Sequence, residues 1–135
     1  MPTPIERFSL ERHTGPYELW PLRTRLLADG VPTGIRLPAY SMLHQYETAA
    51  GFLIAMDCDC PFEEATTFAL VSRDLRLLGR RTFSTMYGSY LLLDLRWKDD
   101  DRFVATFNAD VRYEVTIRDR SIPFLSSRLG VRELK

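Results

Sequence analysis

The sequence predicts an all-β domain, and three observations predict it. From residue 50 onward apolar and polar residues alternate with period two. Turn-forming residues interrupt that alternation every eight to twelve positions, the signature of antiparallel sheet. Within the first fifty residues, Pro32 and Pro38 exclude any helix that would continue through residue 38.

The N-terminal elements come first. Segments 5–12 and 40–47 read as strands, whereas 21–28 fits a short helix or another strand. Leu19, Leu22, Arg23 and Leu26 keep helical spacing and Pro21 suits a first helical turn, but Asp29-Gly30 serves equally as a helix stop or a hairpin turn. In 52–60, Phe52, Ile54, Met56, Cys58 and Cys60 share one face. Leu53, Ala55, Asp57 and Asp59 share the other, which passes from apolar to acidic, so this strand is expected to run out of the core toward water. Pro61 stops it. The β-branched and aromatic run 66–73 is the next strand, and Ser72-Arg73-Asp74-Leu75 is a tight turn into 76–84.

In 90–97 the expected core face is Leu91, Leu93, Leu95 and Trp97, set against Tyr90, Leu92, Asp94 and Arg96. The charged run 98–102 makes a hairpin with the strand of Phe103, Ala105 and Phe107, and Asn108-Ala109-Asp110 makes a second turn. Val111, Tyr113, Val115 and Ile117 then alternate with Arg112, Glu114, Thr116 and Arg118 without exception. The tail from Ser121 has no clear period and is expected along a sheet edge. Together these elements make an antiparallel meander of seven or eight strands with room for one short N-terminal helix. Such a sheet curls or splits, giving a small barrel or a two-sheet sandwich. A β-propeller needs more chain than this.

The chain has 135 residues, 45% of them hydrophobic, which suits one domain spanning 1–135 with a core of its own. Lys plus Arg equals Asp plus Glu at 18 each, so net charge offers no argument for nucleic acid or an anionic membrane. The N-terminus lacks the apolar core of a signal peptide, and no window reaches the ~18 apolar residues that span a bilayer, so a cytosolic protein is expected. Of the basic residues 16 are Arg, spread along the chain instead of gathered on one element.

The densest chemistry lies in Asp57-Cys58-Asp59-Cys60-Pro61-Phe62-Glu63-Glu64, with four acids, two thiols and no base. A closed zinc site needs four ligands and Cys-x-Cys offers two, while His13 and His44 stand at no diagnostic spacing. Calcium would need a glycine and a regular ligand series that are missing. Asp57 and Asp59 oppose thiolate formation, which argues against a cysteine nucleophile. Neither a metal nor a cofactor is expected. Arg73, Arg76, Arg80 and Arg81 make a positive hairpin that lacks aromatic platforms for nucleic acid and reads as a solvated strand face.

These residues point to a non-enzymatic protein-binding domain, with Asp57, Asp59, Phe62, Glu63 and Glu64 as a recognition surface for a partner with a basic surface. A small bacterial inhibitor or immunity-type protein has this general character, though no motif carries that role. The alternative is a barrel enclosing a small apolar or amphipathic ligand.

Overall fold

Residues 52–56 alternate in the ordinary way, yet both alternating sets are apolar. Phe52, Ile54 and Met56 are buried on one face, Leu53 and Ala55 on the other. A strand that is apolar on both sides folds only if each side is covered. The computed structural model, which describes residues 1–60, 63–84, 89–118 and 128–134 but not the side chains of Asp59, Cys60 and Glu63, covers both.

Among the described residues there are twelve strands: β1 (Thr3–Pro4), β2 (Phe8–Leu10), β3 (Thr24–Ala28), β4 (Val31–Leu37), β5 (Ser41–Thr48), β6 (Gly51–Cys60), β7 (Glu63–Val71), β8 (Leu77–Phe83), β9 (Leu92–Trp97), β10 (Arg102–Phe107), β11 (Val111–Ile117) and β12 (Leu129–Leu134). They form three antiparallel sheets. The central sheet has the order β1-β5-β6-β7-β8, an N-terminal sheet β2-β3-β4, and a C-terminal sheet β12-β11-β10-β9. One core lies between the central and N-terminal sheets, where Phe52, Ile54, Met56, Ala69 and Val71 meet Phe8, Leu26, Ile35 and Leu37. The other lies between the central and C-terminal sheets, where Leu53, Phe68 and Leu70 meet Phe103, Phe107, Val115 and Ile117. Phe68 is the hub of the second core, with ring centroids 5.2 Å from Phe103 and 5.8 Å from Phe83. Burying a side chain of that size is worth roughly 1.5–3 kcal/mol, so the two faces of β6 and β7 anchor the whole fold.

This architecture corrects the expected barrel or two-sheet sandwich of seven or eight strands. No closed barrel forms among the described residues; extra strands come from the N-terminal third, where residues read as ambiguous make the third sheet that the second apolar face requires, and from the tail, which supplies β12. Segment 21–28 is resolved as strand: β3 begins at Thr24 and turns through Asp29 (φ 52°) and Gly30 (φ 78°) into β4, the positive-φ pair of a two-residue hairpin. Helix among the described residues is a single 3-10 turn, Tyr17–Leu19. The strand expected over 5–12 shortens to β2.

A second correction concerns Leu91 and Leu93, which are exposed instead of buried. Between β9 and β10 the register shifts at Thr106/Phe107, so that Asp94 faces Thr106 but Leu92 faces Phe107. The bulge at Leu93 reverses the alternation. Leu95 and Trp97 stay inward as expected, and N-terminal to the bulge Tyr90 and Leu92 pack against the core in their place. The other turns fall where the sequence put them: Lys98 N–H reaches Arg102 O across the charged hairpin, and Asn108 and Ala109 adopt positive φ between β10 and β11. Residues 121–127 of the tail lie outside the described residues, and β12 pairs along the edge of the C-terminal sheet beside β11. No helix among the described residues is long and apolar enough to cross a membrane.

Candidate functional site

The acidic segment sits where β6 ends and β7 begins. Asp57 pairs with Ser41 on β5 and with Thr66 on β7, so its backbone is held from both sides, and the residue is half-buried. It follows Leu53 and Ala55 on the face toward the C-terminal sheet, as alternation requires. The register sets Asp59 opposite Glu64 and Cys60 opposite Glu63. Glu64 is half-buried and its carboxylate accepts Ser89 Oγ–H at 3.2 Å, while its backbone carbonyl accepts Tyr90 N–H at 2.9 Å. Thr66 Oγ1 donates to Tyr90 O at 2.7 Å, which fixes the connection to β9 against this end of the sheet. Phe62 and Pro61 lie outside the described residues, so the expected aromatic anchor is not among the groups that can be placed. Cys58 is half-buried, and no group of three or more metal-ligating side chains occurs among the described residues.

The structure adds a neighbour that the sequence did not single out. Tyr40, immediately before β5, donates its backbone N–H to Asp57 O at 2.9 Å, and its ring belongs to a cluster with His13, Tyr17 and Trp20. Trp20 lies 5.1 Å from Tyr40 and 5.5 Å from Tyr17, and His13 lies 5.4 Å from Trp20, all measured between centroids. Three polar handles are tied down: Tyr40 Oη donates to Pro21 O at 2.7 Å, Trp20 Nε1 donates to Gly15 O at 3.2 Å, and His13 Nε2 shares a 3.0 Å hydrogen bond with Thr24 Oγ1. The loop between β2 and β3 therefore has little regular structure but a rigid aromatic floor. In the same loop Leu19 and Leu22 are left 78% and 87% exposed. The sequence signal for it is aromatic density, Tyr17 and Trp20 beside Gly15, Pro16 and Pro21, overlaid by the helical spacing of Leu19, Leu22 and Leu26.

The positive hairpin is mostly structural. Arg73 donates to Glu47 at 2.6 Å and to Thr48 O at 2.7 Å, Arg76 pairs with Asp74 at 3.3 Å, and Arg81 Nε donates to Leu129 O at 3.1 Å, tying the central sheet to the C-terminal one. His44 stacks on Tyr46 at 6.4 Å, a packing role. At this end of the fold the terminus of β6 meets the aromatic cluster through the backbone of Tyr40, and the loop that supplies the cluster carries two exposed leucines. No protein-family model matches the chain, and comparison with curated proteins and with solved structures finds no match either.

Proposed function

We propose that the chain is a non-enzymatic protein-binding domain of the cytosol, and that it receives a partner with a basic surface at the end of the fold where β5 begins and β6 terminates. The observation that carries this reading is the exposure of Leu19 and Leu22 in the loop whose His13, Tyr17 and Trp20 cluster with Tyr40, a residue bonded through its backbone to Asp57. Rigid aromatic groups with apolar neighbours supply most of the energy of protein interfaces, and the carboxylates around them set orientation and association rate. A small bacterial inhibitor or immunity-type protein would use a surface of this kind. The alternative of a ligand enclosed in a barrel loses its premise, because side chains fill both cores and no closed barrel forms among the described residues.

The test is a purified partner recovered from the native host, titrated against wild type, a Leu19→Asp/Leu22→Asp variant and an Asp59→Lys/Glu63→Lys variant, each first verified to unfold at the wild-type midpoint. The leucine variant should weaken binding by roughly 10-fold or more, and the charge variant should slow association most strongly at low salt. Wild-type affinity in both folded variants would sink the proposal.

A further inference from the structure

The chain is neutral as a whole, but its charge is not evenly placed. Outward-facing positions of the C-terminal sheet form a grid across four strands. Pairing sets Asp94, Thr106, Arg112 and Leu134 in one row, and Arg96, Val104, Glu114 and Arg132 in the next. Lys98, Arg102 and Thr116 continue it, and the guanidinium of Arg118 lies over Gly130. The face thus carries six cations, Arg96, Lys98, Arg102, Arg112, Arg118 and Arg132, against the four carboxylates of Asp94, Asp99, Asp101 and Glu114. Three of those carboxylates are held in ion pairs. Asp94 pairs with Arg96 at 2.9 Å, Asp99 with Arg102 at 2.5 Å, and Glu114 with Lys98 at 2.8 Å and Arg132 at 3.4 Å. Arg112 is exposed and makes no hydrogen bond or ion pair among the described residues. A groove of about 600 Å³ runs over this face, lined by Asp94, Arg96, Lys98, Val104, Arg112 and Leu134 among others.

We propose that this groove is a second interaction site, distinct from the aromatic end, and that its occupant is an acidic protein segment carrying apolar side chains. Charge complementarity selects an anionic partner. Two features favour an acidic peptide over nucleic acid: Trp97, the aromatic side chain among those lining the groove, is engaged edge-to-face with Tyr46 and Phe103 of the core instead of standing out as a platform for bases, and Val104 and Leu134 offer apolar contact between the charges. The fixed carboxylate of Glu114 in the middle of the grid also breaks any continuous track for phosphates.

The experiment titrates the full chain with a fluorescent Glu-rich peptide carrying leucine at intervals, a Lys-rich peptide of the same length, and a single-stranded oligonucleotide. Arg96→Gln/Arg112→Gln, and the charge reversal Arg96→Glu/Arg112→Glu, change only exposed side chains; the milder pair provides a folded comparison if the reversal unfolds. The acidic peptide should bind and the Lys-rich peptide should not. Binding should weaken with salt, shift backbone amide resonances of β9 to β12, and fall by roughly 10-fold in the neutral pair. The proposal is overturned by no binding of the acidic peptide, by binding that both variants retain, or by tighter binding of the oligonucleotide through the same arginines.

Discussion

The carboxamide of Gln45 accepts the backbone N–H of Phe8 at 2.7 Å and donates back to the Phe8 carbonyl at 2.8 Å, so one side chain of the central sheet takes the place of a neighbouring strand. The same oxygen accepts Arg7 N–H at 2.9 Å, and the Gln45 carbonyl accepts Ile5 N–H at 3.0 Å. A bulge makes this possible. The register of β5 on β6 shifts between Met42 and His44, which turns Gln45 toward the N-terminal sheet and Tyr46 toward the C-terminal one.

Gln45→Ala should therefore destabilise the domain by about 2–4 kcal/mol, since three hydrogen bonds are lost and the two N–H groups and the carbonyl they satisfied are half-buried. Gln45→Glu keeps the size and the acceptor but sets a carboxylate oxygen against the Phe8 carbonyl, and should also cost stability. Urea unfolding of the three proteins measures this; a wild-type midpoint for Gln45→Ala would mean that the side chain does not join the sheets.

Alternation in β11 makes a second expectation sharp. Val115 is fully buried between the central and C-terminal sheets, while Thr116 faces outward opposite Arg102. Val115→Asp buries an unpaired charge and removes apolar contact, together several kcal/mol out of the roughly 5–15 that hold a domain, so it should unfold. Thr116→Asp adds a carboxylate to a cationic face and should leave the thermal midpoint nearly unchanged. Equal effects of the two would contradict the register.

β11 was legible because one strand reads its own period: Val111 to Ile117 needs no information from elsewhere. Leu91 and Leu93 were misread for the same reason, since the bulge that exposes Leu93 is fixed by pairing with Phe107 and Thr106. The two apolar sets of β6 were visible as sequence, but the N-terminal sheet that covers one of them was hidden by Pro21, Pro32 and ambiguous spacing. At the acidic end, Asp57 and Glu64 could be named from composition, whereas Tyr40 joins them through a backbone bond to Asp57 that no local pattern announces. The cationic grid was illegible for a simpler reason: Arg96, Arg112 and Arg132 are neighbours only across strands.

Glu114 links that grid to pH. It is 6% exposed, and the hydrogen bond from Lys98 holds its carboxyl below the ordinary value of 4.5, with burial opposing and Arg132 assisting. A carboxyl with a depressed folded pKa binds protons more readily when the chain is unfolded, so its contribution is complete above the ordinary value and is lost as pH falls through the lowered one. The difference in thermal midpoint between wild type and Glu114→Gln should be constant above about pH 5 and shrink on further acidification. A difference that widens toward acid would reverse this assignment.

Two turn positions should respond in opposite directions to the exchange of alanine and glycine. Gly51 has φ 136° at the β5–β6 hairpin, a conformation that side-chain-bearing residues rarely adopt, and an added Cβ would collide with the Val71 carbonyl oxygen. The hairpin has no freedom to move away, because Thr48 Oγ1 donates to Gly51 O at 2.9 Å and accepts Ala50 N–H at 3.1 Å. Gly51→Ala should cost roughly 2–5 kcal/mol, combining backbone strain with overpacking. Ala109 already occupies the left-handed region at φ 83° in the β10–β11 turn. Holding alanine there costs about 1–2 kcal/mol, and glycine gives back about 0.5–1 kcal/mol in unfolded-state entropy. Ala109→Gly should therefore gain up to about 1 kcal/mol, raising the thermal midpoint by roughly 2–5 °C. Calorimetry on both variants decides it: a loss at Ala109→Gly would show that the left-handed geometry of this turn is not what the chain adopts in solution, and an unchanged midpoint at Gly51→Ala would show that β5–β6 does not press against β7.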